Sequence, residues 1–157
     1  MIADLCAEYF IACDNQDVEH LAALFTDDIR ITATNGMLTA VGLDAAIEIY
    51  RKMFSIRGPS YHWSHDRLIH FDDSNPDRAT GVVFAHAETT PRGTASIAAI
   101  RYRDTYAKRP DRWQFSARTL DFLYYTPMVQ FIERFPGELR VLGPEGWIPA
   151  DLPERQT

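Results

Sequence analysis

Five side chains of this sequence combine a reactive type with a setting in which chemistry is conceivable: Tyr9, Asp14, His62, His86 and Arg118. A neutral imidazole, with an ordinary pKa of about 6.5, is the side chain best suited to accept a proton at neutral pH. His62 stands near the start of an extended run and shares its parity with Ser64, Asp66 and Leu68; by position alone it fits a structural or surface role as well. His86 shares parity with Val82 and Phe84, so its face reads as buried. A buried imidazole needs partners for its ring nitrogens, which either a polar pocket or the core can supply. Arg118 is able to hold a carboxylate or a developing oxyanion, or to form a surface ion pair with one of the 22 acidic residues. Asp14 and Tyr9 have plain readings as a helix-terminal turn residue and a core aromatic. Whether these groups act together depends on the elements that position them.

Leu5, Cys6, Tyr9, Phe10 and Cys13 recur at three- and four-residue spacings, which predicts an amphipathic helix over Ile2–Cys13, broken at Asp14-Asn15-Gln16. Asp17 is the expected N-cap of a short helix over Val18–Phe25, with His20 where a full capping box has Glu or Gln. Ile29–Thr34 and Met37–Val41 flank Asn35-Gly36 and predict a two-residue hairpin. A third helix, Leu43–Phe54, ends before Gly58-Pro59. Four extended runs follow, about Tyr61–Phe71, Ala79–Thr89, Thr94–Ala107 and Arg112–Tyr125, separated by Asp72–Asp77, Pro91-Arg92-Gly93 and Arg109-Pro110-Asp111. Three helices and then an antiparallel meander predict an α+β domain over residues 1–127. Beyond Pro127 the sequence predicts a short helix, Met128–Phe135. A Pro- and Gly-rich irregular tail to residue 157 follows, its Leu139, Val141, Leu142 and Trp147 expected to pack on the same domain or on a neighbouring subunit.

The chain of 157 residues is long enough for one packed core, and its 46% apolar and 12% aromatic content suits one. A net charge of −6 argues against a nucleic-acid partner. No apolar stretch nears the roughly 18 residues of a membrane span, and no basic-then-apolar leader opens the sequence, so the expected location is the cytoplasm. Cys6 and Cys13, on one helix roughly 10 Å apart, cannot bridge each other and read as core residues. No spaced Cys/His cluster suggests a metal.

Taken together, the helix ending in Tyr9-x-x-x-x-Asp14, the Leu24-Phe25-Thr26-Asp27-Asp28 segment, Gly42 before the third helix, and the runs YHWSHDRLI, AAIRYRDTYAKRPDRWQFSAR and YYTPM resemble the SnoaL-like branch of the nuclear transport factor 2-like superfamily over roughly residues 5–130. The resemblance implies a cystatin-like cone, a curved sheet and helices around a pocket. It is nearest to hexachlorocyclohexane dehydrochlorinase, bile acid dehydratase and scytalone dehydratase, lyases that use an Asp-His dyad. It implies that Asp14 and His62, 48 residues apart, are that dyad. Arg118, in the setting Trp-x-Phe-Ser-x-Arg, matches the dehydrochlorinase arginine; Tyr9 matches a pocket tyrosine of the bile acid enzyme, and His86 approximates a second histidine of scytalone dehydratase. The dehydrochlorinase's lysine is absent, and no pair of tyrosines is legible. The implied chemistry is cofactor-independent elimination from a small, largely apolar ring substrate, with Tyr9, His86 or Arg118 stabilising negative charge, in a homo-oligomer, a trimer ahead of a dimer. Isomerases, epoxide hydrolases, polyketide cyclases and non-catalytic subunits share the fold and stand as alternatives.

Overall fold

The computed structural model describes residues 1–151; the end of the tail, Pro153 included, lies outside the described residues. Helix α1 (Ile2–Asp14) buries Leu5, Cys6, Tyr9, Phe10 and Cys13, the stripe expected from their spacing. Helix α2 (Val18–Leu24) is capped by the Asp17 side chain, which accepts a hydrogen bond from the His20 amide at 2.9 Å. The helix ends one residue earlier than its periodicity suggests, and strand β1 (Phe25–Ala33) begins at once. Gln114 makes this abrupt change workable, since its Nε2 donates to the carbonyls of Ala23 and Phe25, both at 3.0 Å, where helix and strand meet. The hairpin to β2 (Thr39–Val41) is wider than Asn35-Gly36 implies. The Ala33 amide already donates to the Leu38 carbonyl, so Thr34–Met37 form the loop, with Gly36 at φ 79°.

Helix α3 (Leu43–Ser55) precedes four long strands, β3 (Arg57–Asp72), β4 (Asn75–Pro91), β5 (Ser96–Lys108) and β6 (Trp113–Pro127). The Asp72–Asp77 separator shrinks to a two-residue turn because the Asp72 carboxylate accepts from the Ser74 amide, the Ser74 hydroxyl and the Asn75 amide, doing the work of a longer loop. The sheet order is β2-β1-β6-β5-β4-β3, antiparallel throughout except for the β1–β6 pair. Helices α1–α3 cover its concave face. This is the cystatin-like, nuclear transport factor 2-like α+β fold.

The tail is more regular than its composition suggests. A 3₁₀ turn (Met128–Gln130) and helix α4 (Phe131–Arg134) lead into a hairpin of β7 (Leu139–Gly143) and β8 (Gly146–Pro149). The glycines and prolines fall at its turn and its end, with Gly146 at φ 130°, and β7 pairs with β6 at Tyr125, which buries Val141 completely.

Parity within the sheet departs from the simple reading in two places. On β4 the buried set is Ala79, Val83, Ala85, Ala87 and Thr89, not the Val82, Phe84 and His86 set. The concave side of a strongly curved sheet has room for alanines under the helices, whereas the larger side chains stand on the convex side. On β3 the pairings Ser64↔Ala85 and Arg67↔Val83 leave one extra residue between them. This bulge exchanges the faces, so His62 points inward from one side of it and Ile69 from the other.

Candidate active site

Asp14 is the last residue of α1, and its side chain reaches onto β3. Its Oδ1 lies 2.6 Å from His62 Nδ1, its Oδ2 accepts from the His62 amide at 3.0 Å, and the Ser60 hydroxyl donates to Oδ1 at 3.3 Å. The carboxylate thus fixes the histidine's backbone and ring together. Phe10, one turn earlier on α1, stacks on the imidazole with centroids 5.6 Å apart and planes 19° from parallel. With Nδ1 donating to the carboxylate, Nε2 is the acceptor nitrogen, and it has no protein partner among the described residues.

His62 lines a pocket of about 680 Å³ between α1, α3, the concave face of the sheet and the β7–β8 hairpin. Its walls are mainly apolar, with Ile31, Met37, Ile49, Met53, Leu120 and Phe122 among them. The volume suits a small-molecule ligand. Among the described residues no Asp or Glu lines it. Cys13 lines it as well; burial pushes this thiol up to about 12, so it remains protonated and inert.

Tyr9 and Tyr50, from α1 and α3, meet in the pocket wall with hydroxyls 2.9 Å apart. Burial raises both phenols above their ordinary range, so both are hydrogen-bond donors at neutral pH. Of this pair only Tyr9 stands out in the sequence. Tyr50 carried a helical spacing indistinguishable from that of a core residue.

Arg118 and His86 stand off the pocket wall, which corrects the direct contacts expected of them. Arg118 is completely buried. Its Nε and Nη2 each donate to Asp104 at 2.8 Å, and its guanidinium lies 4.0 Å from the ring centroids of Tyr9 and Phe115. Burial opposes the Arg118 charge, but the Asp104 carboxylate outweighs it and holds the pKa well above the usual range. The two residues are opposite each other on β5 and β6, and the pair supports Tyr9 from behind. His86 is on the convex face. Its Nδ1 is 2.6 Å from His65 Nε2, and its ring stacks on His65 with Glu88 nearby. Its parity was misread because the smaller residues, not the larger, face inward on β4.

Asp14, His62 and Tyr9 therefore come together, while Arg118 stands one layer behind and His86 on the opposite side of the sheet. Ser60 was missed, though it lies two residues before His62 on the same parity. Among the described residues no group of three or more His, Cys, Asp or Glu side chains is placed to hold a metal ion. Among the described residues no helix is long and apolar enough to cross a membrane.

The family model of the SnoaL-like domain matches residues 1–119. This chain belongs to the SnoaL-like family. Comparison with curated proteins gives no match. Among solved structures, a type 2 hexachlorocyclohexane dehydrochlorinase is similar at 22% identity and a TM-score of 0.73, over 81% of this chain and 86% of that one. A scytalone dehydratase-like protein of Novosphingobium aromaticivorans is similar at 25% identity and a TM-score of 0.72, over 80% and 84%. A Nostoc punctiforme protein described as having a cystatin-like fold aligns at 20% identity and a TM-score of 0.61, over 77% and 87%. The SnoaL-like neighbours thus include enzymes, a dehydrochlorinase among them.

Proposed function

We propose that the protein is a cytoplasmic, cofactor-independent lyase that removes water or hydrogen halide from a small, largely apolar ring substrate, with His62 as general base and Asp14 holding its tautomer. The observation that carries this reading is the 2.6 Å Asp14–His62 hydrogen bond, which leaves the ring's other nitrogen as the acceptor on the wall of an open apolar pocket. His62 Nε2 takes a proton from the carbon next to the one bearing the leaving group. The C–H electron pair becomes the new C=C bond, and the leaving group departs with its bonding pair as hydroxide or halide. Asp14 stabilises the imidazolium, as the carboxylate of a catalytic triad does. In the Tyr9–Tyr50 pair one hydroxyl donates to the other, and the second proton is available to an oxygen on which negative charge develops. The buried Arg118–Asp104 pair fixes the Tyr9 ring. An isomerase with a carboxylate base is less well supported, because among the described residues no acidic side chain lines the pocket and Asp14 is engaged by His62 and Ser60.

Incubation with hydroxylated and halogenated ring compounds, followed by chromatography of products and assay of released halide, tests the reading. A gain of one C=C bond is expected. His62→Ala should reduce kcat/KM by about 10²–10⁴-fold, with Asp14→Asn retaining residual turnover. Absence of elimination across the panel, or full activity in His62→Ala, overturns it.

A further inference from the structure

Three cationic side chains line the pocket without a part in the elimination: Lys52, Arg57 and Arg92. Arg57 opens β3, opposite Pro91 of β4, and its side chain lines the same cavity as His62. Among the described residues its guanidinium makes neither a salt bridge nor a hydrogen bond, although Lys52, at the same cavity, is held by Glu48 at 3.6 Å. The Arg57 charge is directed inward. Burial raises the Cys13 thiol and the Tyr102 and Tyr125 hydroxyls, and Arg57 opposes the rise in all three, groups that face the pocket from α1, β5 and β6.

A second, independent observation lies on the neighbouring strand. Thr89 is 5% exposed, lines the pocket, and its Oγ1 is buried without a hydrogen-bond partner. It pairs with Ser60 across the β3–β4 ladder, close to the start of β3 where Arg57 stands. Arg92 adds a further cation to that end of the cavity. A half-buried guanidinium against apolar walls has lost hydration that only an anion restores well, and its planar fork fits a carboxylate in two parallel hydrogen bonds. An uncharged hydrocarbon in this pocket would leave Arg57 and Thr89 unsatisfied.

We propose that Arg57 and Thr89, aided by Arg92, form an anion subsite, and that the substrate is an apolar ring compound bearing a carboxylate. The proposal deepens the reading above and rests on it only in placing the substrate in this pocket. Five residues of strand separate Arg57 from His62, roughly 16 Å between Cα atoms at full extension. After allowance for the arginine side chain, the carboxylate and the reacting C–H belong to opposite ends of a skeleton of about two fused rings.

Calorimetric titration of the intact protein with pairs of acids and their primary amides (benzoic, 2-naphthoic and biphenyl-4-carboxylic) tests this without turnover. At least one acid should bind about tenfold or more tightly than its amide. Arg57→Gln should abolish that preference while leaving amide binding within about twofold, Arg57→Lys should retain part of it, and Thr89→Val should weaken only the acid. Thermal melts of each variant check folding. If no acid binds better than its amide, or if the preference survives in folded Arg57→Gln, the proposal is overturned. Because binding needs no chemistry, an anion preference with a blank elimination assay removes the lyase reading alone.

Discussion

At the scale of single residues, this protein uses three carboxylates in three ways, and each depends on what the oxygen atoms touch. Asp14 fixes a histidine, Asp104 neutralises Arg118, and Asp121 ties the sheet together. Asp121 is 1% exposed, and its oxygens accept from Arg101 Nε at 2.8 Å, Arg103 Nη2 at 2.9 Å and the Thr34 hydroxyl at 2.6 Å. Burial pushes the Asp121 pKa up, but these donors outweigh it and hold it below the ordinary carboxylate value. Its stabilising contribution is therefore complete above the unfolded-state pKa of about 3.9 and is lost as pH falls through the lower folded-state value. Asp121→Asn should cost about 1–3 kcal/mol at pH 7, and the gap from wild type should narrow below about pH 4, which urea melts at pH 7 and pH 3 would measure. Asp14, His62 and Tyr9 were legible as candidates from type and spacing. Arg57, Thr89 and Tyr50 were not, because what marks them is a missing or unusual partner, and partners across the pocket are not written in local sequence.

At the scale of elements, helices α1–α3 and the four long strands lie where their periodicity puts them, although β4 buries its alanine-rich parity and β3 buries only Ser60 fully. The failures cluster where a tertiary contact overrides a local rule: Gln114 at the α2–β1 junction, the Asp72 side chain in the β3–β4 turn, and the bulge in β3. The bulge matters most for the site. A one-residue slip exchanges the faces of a strand, so deleting His65 should force either Ser60 and His62 or Arg67 and Ile69 to the wrong side. We expect loss of any His62-dependent activity together with a lower melting temperature, readable by circular dichroism. Retention of both would show that the inward set is not fixed by this register. The bulge also bends β3, the outermost strand, away from the straight edge that would invite pairing with another chain.

At the scale of the whole molecule, the convex face carries side chains that a monomer has little reason to expose, with Tyr61 59%, Trp63 55%, Leu68 57% and Phe84 42% exposed. We propose that this face joins copies of the chain, three ahead of two. Light scattering coupled to size exclusion should then give about three times 17.9 kDa, and a monomer mass at micromolar concentration would rule this out. The parallel pairing of β1 with β6 has a consequence for how such an assembly is made. Arg30 of β1 waits for Ala117 of β6, 87 residues later in the chain. At ordinary elongation rates of about 5–20 residues per second, the ribosome needs roughly 4–17 s to supply the missing partner. Throughout that interval the first third of the protein, Asp14 included, has an unfinished sheet beside it, and one edge of β1 stays unpaired until β6 has been made.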